Sequence, residues 1–311
     1  MPTWNVILEE LAIAGQSDPN AIDTVRRRYL SQLAQYTNRP TIAYYSGWLQ
    51  KPNAPAIELN DEDKNGFMAC VHGLPKDRGV DLLIHSPGGG LAATESIIHY
   101  IKSIFGNNLR AIVPQIAMSA GTILACACKS ILLGKQSNLG PTDPQVDGLP
   151  AFATTKEFEK AYKQIIADPN ASFAWEPILK QLRPSFLQQC DYAMLWTRQY
   201  VEQCLRSNML NGDGEIDQKV KQILDRLLDL GNNKAHNKHF HIDDLVGTGL
   251  VIERLEDDQG LQDAVLSVHH CFMHTFSMTR ASKVIENSMG VAFIKQVAEV
   301  PSITFGLGGP P

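Results

Sequence analysis

The sequence predicts an α/β fold built from consecutive βαβ units, and three observations carry that prediction. Short, near-continuous apolar runs recur at Thr41–Ser46, Val80–His85, 109–115 and 131–134, as in strands of a parallel sheet buried on both faces. Stretches with apolar residues at helical spacing lie between them, such as Leu91–Phe105 with Ile97, Ile98, Ile101 and Ile104. The connections are short turns of glycine, serine and proline.

Composition narrows the class. The chain has 311 residues, enough for one large or two ordinary domains. A hydrophobic fraction of 44% and a charged fraction of 20% are those of a soluble globular protein. A net charge of −5 offers no footprint for nucleic acid, and no nucleic-acid partner is expected. The six cysteines are scattered and form no CxxC pair, so reduced thiols in a cytosolic compartment are expected. The first residues lack the basic and apolar regions of a signal peptide. The longest mostly apolar stretch, 123–133, contains Lys129 and falls short of the roughly 18 residues a membrane span needs. A cytoplasmic protein without a membrane span is the expectation.

In chain order, residues 4–37 read as helical, broken at 15–19; the basic run Arg26-Arg27-Arg28 reads as a solvated helix face. The strand Thr41–Ser46 precedes a helix over 61–74, with Phe67, Met68, Val71 and Leu74 on one side. The strand Val80–His85 ends in Ser86-Pro87-Gly88-Gly89-Gly90 and opens into the helix Leu91–Phe105. The strand 109–115 leads to Ala117-Met118-Ser119-Ala120-Gly121-Thr122, where the next helix begins. Residues 140–150 are turn chemistry throughout, and 155–230 are mostly helical. A polar segment 232–241, a short helix 243–248, a strand 251–255 and a helix 259–276 follow, before a tail ending Gly308-Gly309-Pro310-Pro311 that reads as disordered.

The two turns after the strands hold the chemistry. In a parallel sheet, sites gather outside the carboxyl ends of the strands. A serine in a small-residue turn from strand to helix exposes its hydroxyl beside free N–H groups, and a second glycine turn supplies another N–H. The N–H of Gly88 or Gly89, together with that of Ala120, would then polarise a carbonyl oxygen next to Ser119, each donor being worth about 3 kcal/mol in the transition state.

These residues resemble a known family. Ile84-His85-Ser86-Pro87-Gly88-Gly89 is similar to the oxyanion turn, and Ala117-Met118-Ser119-Ala120-Gly121-Thr122 to the nucleophile turn, of the Clp-protease/crotonase superfamily. Ser137-Asn138-Leu139-Gly140-Pro141-Thr142-Asp143-Pro144-Gln145 resembles the serine dehydrogenase proteinase branch, close to signal peptide peptidase A. The likeness is specific from about 80 to 146 and extends over about 41–256. It implies Ser119 as nucleophile, Gly88 and Ala120 as oxyanion donors, a ClpP/crotonase-like spiral of βαβ units, and a homo-oligomer. The expected division is an N-terminal helical segment (1–38), the core (39–258) with a helical insertion at about 155–230, and a C-terminal helix with a flexible tail (259–311).

The general base is left open between lysine and histidine. Clp-type proteases place a histidine where this chain has Thr142-Asp143. Signal peptide peptidases use a lysine tens of residues after the serine, and of Lys156, Lys160, Lys163 and Lys180 the spacing favours Lys160 and Lys163. The cluster His236, His239 and His241 is the other source, with Asp143 to orient the ring and His239 the choice within it. His239 and His241 share a strand face, but no third ligand at a recognisable spacing accompanies them, and His270 and His274 read as core or surface residues. No metal and no cofactor are expected: there is no dinucleotide fingerprint and no pyridoxal-phosphate lysine motif.

The expected function is therefore that of a serine peptidase acting on peptides or unfolded proteins through a Ser119 acyl-enzyme. A non-catalytic scaffold of the same fold that binds peptides, and a crotonase-type acyl-CoA enzyme, are the alternatives.

Overall fold

The computed structural model describes residues 4–228 and 235–297. In chain order, helices α1 (Trp4–Ala14) and α2 (Ala21–Thr37) precede strand β1 (Thr41–Ser46), helix α3 (Asp63–Val71), strand β2 (Val80–His85) and helix α4 (Leu91–Phe105). Then come β3 (Leu109–Val113), β4 (Ile116–Ala117), helix α5 (Ala120–Cys126), β5 (Ser130–Leu133) and β6 (Asn138–Leu139). A small hairpin of β7 (Gln145–Val146) and β8 (Leu149–Pro150) leads into helices α6 (Ala151–Ala167), α7 (Ser172–Leu179), α8 (Phe186–Cys204) and α9 (Ile216–Leu228). Strand β9 (Phe240–His241), helix α10 (Ile242–Leu245), strand β10 (Ile252–Arg254), helix α11 (Gln259–Met278) and strands β11 (Ala281–Asn287) and β12 (Ala292–Gln296) follow.

The architecture is mixed α/β around a central seven-stranded sheet of order β10-β5-β3-β2-β1-β11-β12. The five strands from β10 to β1 run parallel, whereas β11 is antiparallel to β1 and β12 to β11. The parallel strands show no polar alternation because helices cover both faces. Ile42, Tyr44, Leu82, Ile84 and Val113 pack with Phe67 of α3, Ile97 of α4, Leu124 of α5, Val201 of α8 and Leu224 of α9. Ala43, Tyr45, Leu83, Ile112 and Leu132 face the other way, onto Leu30 and Leu33 of α2 and Val265, Phe272 and Phe276 of α11. Burying each large side chain of this kind contributes about 1.5–3 kcal/mol.

Three departures from the sequence reading have physical causes. The strand in the run 109–115 stops at Val113: Pro114 lacks an N–H, and a separate short strand, β4, starts only at Ile116 and joins β6 and β9 in a three-stranded sheet of its own. The basic run is a solvated face only in part, with Arg28 exposed. Arg26 is fully buried, with its guanidinium on Glu286 at 2.6 and 3.1 Å and on Asp23 at 2.8 Å, and Arg27 reaches the same Glu286 at 2.8 Å. Finally, the segment after α11 holds two strands where a flexible tail was expected. Lys283 and Glu286 break the apolar pattern of β11, yet both are buried because each has a counter-charge, Asp63 and Arg26 respectively. The expected disordered end, 306–311, and the first part of the polar segment, 232–234, lie outside the described residues.

All six cysteines are buried and free. Among the described residues no helix is long and apolar enough to cross a membrane.

Candidate active site

The divergence of β4 brings the two turns together. Ser86, one residue beyond β2, pairs with Ala117: its N–H donates to the Ile116 carbonyl at 3.1 Å, and its carbonyl accepts from Met118 N–H at 3.0 Å. Ser119 follows as the N-cap of α5 with φ 49° and ψ −115°, a backbone conformation that costs a non-glycine residue roughly 1–3 kcal/mol and is found where a side chain must be presented. The glycines opposite are needed for closeness. A Cβ on Gly88 would fall 2.7 Å from Ser119 Cβ, and one on Gly89 would fall 2.2 Å from the Leu59 carbonyl oxygen. Both have positive φ, 108° and 153°.

The N–H groups divide cleanly. Among the described residues, those of Ala120 and Gly89 make no hydrogen bond, while that of Gly88 donates to Ser86 Oγ at 3.1 Å. Leu59 bridges Gly89 in parallel fashion, bonding Gly88 and Gly90 on either side, so the N–H and C=O of Gly89 point away from Leu59.

The small sheet aligns three loops. Strand β4 leads to Ser119, β6 leads to Asp143, and β9 follows His236. β6 and β9 are antiparallel, with Asn138 opposite His241 and Leu139 opposite Phe240. Continuing that register outward by four residues sets Asp143 opposite His236, and there His236 Nδ1 lies 2.9 Å from Asp143 Oδ1. The Asp143 side chain is 1% exposed and that of His236 27%. A carboxylate only accepts, so in the neutral imidazole Nδ1 carries the hydrogen and Nε2 keeps a lone pair for another partner.

Ser119, Ala120, Gly89, Asp143 and His236 line one cavity of about 420 Å³, with Leu91, Ile123 and Thr197 among its other walls. Beneath it, the buried Thr122 hydroxyl lies 2.8 Å from the Ala117 carbonyl and 3.0 Å from both the N–H and C=O of Gly140. It ties the turn carrying Ser119 to the loop carrying Asp143.

Of the residues expected from sequence, Ser119, Gly88 and Ala120 converge. Lys160 and Lys163 do not: both are exposed on α6 and neither lines the cavity. Lys156 and Lys180 make surface ion pairs with Glu159 and Glu176. His239 is exposed beside β9 and also stands outside the cavity, and His241 caps α10. The histidine that reaches the cavity is His236, from the same cluster. The signal that separates them is register: His236 lies as far before β9 as Asp143 lies after β6. His270 and His274 pack against Trp4, and among the described residues no group of three His, Cys, Asp or Glu side chains is placed to hold a metal ion.

Comparison with known proteins shows which sequences this chain is similar to. Over 162 residues the chain is 30% identical to the uncharacterised protein MJ0137 of Methanocaldococcus jannaschii, covering 50% of this chain and 56% of that protein. It is 31% identical over 104 residues to the uncharacterised protein MJ1495 of the same organism, covering 33% of this chain and 35% of the other. The chain thus matches little more than half the length of one curated relative and about a third of the other. The family model described as ClpP-like SDH-type serine proteinase matches residues 47–176, which include the glycine turn, Ser119 and Asp143. Across residues 47–176, the chain is thus similar to the ClpP-like SDH-type serine proteinases.

Proposed function

We propose that the protein is a serine peptidase in which Ser119, His236 and Asp143 act as nucleophile, base and orienting carboxylate. The observation that carries this reading is the 2.9 Å contact between Asp143 and His236 inside the cavity that also holds the strained Ser119 turn. Serine is a weak nucleophile until a neighbouring base takes its proton, and a histidine oriented by a buried carboxylate is a base suited to neutral pH. His236 Nε2 would accept the Ser119 proton as Oγ bonds to the substrate carbonyl carbon. The proton then passes to the departing amine as the C–N bond breaks, and water hydrolyses the acyl-enzyme by the same route.

The developing oxyanion is assigned to the N–H groups of Ala120 and Gly88. Ser86 Oγ holds the second at 3.1 Å, and a charged oxygen is the stronger acceptor. Gly89 keeps its own N–H and C=O for the backbone of an extended peptide, a mode that tolerates varied side chains. We assign residues 39–258 to a ClpP/crotonase-like core arranged as a spiral of βαβ units, with the helices near 155–230 as an insertion; Thr197 of α8, a wall of the cavity, supports a role for that insertion at the site.

Incubation with a fluorophosphonate probe, followed by peptide mapping, tests the reading. The expected adduct lies on Ser119 and disappears in Ser119→Ala; a wild-type protein that takes no label across neutral pH would overturn it.

A further inference from the structure

The catalytic reading leaves unused a buried charged pair beneath the glycine turn. Lys283 of β11 and Asp63 at the start of α3 both have side chains 0% exposed. Lys283 Nζ lies 2.9 and 2.8 Å from the two Asp63 oxygens and 2.7 Å from the Glu58 carbonyl. Asp63 Oδ2 also accepts from the backbone N–H of Asn60 at 3.1 Å and from the Tyr44 hydroxyl at 2.9 Å. The pair therefore grips the backbone on both sides of Leu59. Leu59 in turn clasps the turn: its N–H donates to the Gly88 carbonyl at 2.7 Å, and its carbonyl accepts from Gly90 N–H at 2.9 Å.

Stability alone explains such a pair poorly, because desolvating two charges cancels most of their attraction. What it fixes is geometry. We infer that Lys283 and Asp63 are positioning residues for the oxyanion turn, fixing the strap Glu58-Leu59-Asn60 and, through it, the peptide units of Gly88 and Gly89. For its catalytic consequence this rests on Ser119 being the nucleophile; the strap itself is measurable without catalysis.

The pair also has a pH signature. Burial outweighs the pull of Asp63 and brings the Lys283 ammonium down from 10.5 to about 8; Lys295 of β12 pushes the same way, Glu62 opposes, and the Tyr44 ring lies 5.6 Å from Nζ. Between about pH 8 and 10.5 the folded protein then holds fewer protons than the unfolded chain, so this group adds stability as pH rises. Over the same window the strap loses its charge-assisted bonds. The buried Cys70 and Cys271 thiols, pushed up to about 12, lower stability over the same range, so the signature is read as the decline of labelling relative to Lys283→Arg and not as a net rise in stability.

The test compares wild type, Lys283→Arg and Lys283→Met as full chains. Its readouts are the rate of fluorophosphonate labelling and the hydrogen-exchange protection of the Leu59 and Gly90 amides. In Lys283→Met, labelling and those protections are expected to fall by roughly tenfold or more while α4 stays protected; in Lys283→Arg they stay within about threefold. Wild-type labelling should decline above about pH 8 as Lys283 loses its proton, and Lys283→Arg should move that decline up by about a pH unit or more. Unchanged protection at Leu59 and Gly90 in Lys283→Met, or labelling at the wild-type rate, overturns the inference. If wild type takes no label, the reading of Ser119 fails, and hydrogen exchange alone decides the strap. Should Lys283→Met not fold, Asp63→Asn with Lys283→Gln, an uncharged hydrogen-bonding pair, is measured in the same way.

Discussion

Ser119 owes its presentation to a left-handed backbone that a non-glycine residue adopts only under constraint, and Thr122 supplies part of that constraint. Replacing Thr122 by valine keeps the shape and removes the hydroxyl, leaving Gly140 N–H without its partner, at a cost of about 1–3 kcal/mol. The expected result in Thr122→Val is a lower kcat with little change in KM, and recovery in Thr122→Ser; equal kinetics in wild type and Thr122→Val would remove Thr122 from the account. Asp143→Asn is expected to lower kcat by roughly 10³-fold or more, because an amide stabilises the wrong His236 tautomer. Ser119, Gly88 and Ala120 were legible from sequence because turn chemistry is local. The choice of His236 over His239 was not, because it depends on a strand pairing between segments about a hundred residues apart.

At the scale of elements, the glycine turn works by contact with two neighbours. Gly89→Ala sets a Cβ against the Leu59 backbone, and Gly88→Ala sets one against Ser119. Either substitution should reduce labelling about 10²-fold or more, by displacing an oxyanion donor or its strap, while far-ultraviolet circular dichroism stays that of wild type. Unimpaired labelling in both would mean the turn does not form the hole. The parallel strands and α4 were readable because they are buried on both faces and strongly periodic. Strands β11 and β12 were not: a run containing Lys283 and Glu286 reads as surface until Asp63 and Arg26, more than two hundred residues earlier, are known to meet them.

For the molecule as a whole, the sheet carries a histidine cluster that favours neutral pH. His85 is fully buried, its ring nitrogens without a hydrogen-bond partner among the described residues, between Trp48 and His269. Burial holds His85 well below the usual 6.5 and brings His269 down to about 3. Below about pH 6.5 the unfolded chain therefore binds protons that the folded protein refuses, and stability falls as pH drops towards 3. The Tm should decline between pH 7 and 4, less steeply in His85→Phe; a Tm flat over that range would contradict the burial. Tyr162, Ile166 and Phe173 are exposed on α6 and α7, and the homo-oligomer that the family resemblance implies is tested by light scattering, which should then return a multiple of 34.3 kDa.

The central claim, that His236 activates Ser119, is tested most directly by the pH dependence of the fluorophosphonate labelling rate in wild type and His236→Gln. The rate is expected to depend on pH in wild type, and to drop roughly 10³-fold or more and lose that dependence in His236→Gln. Labelling of Ser119 at the wild-type rate in His236→Gln, or its loss in Lys160→Met or Lys163→Met instead, would contradict it.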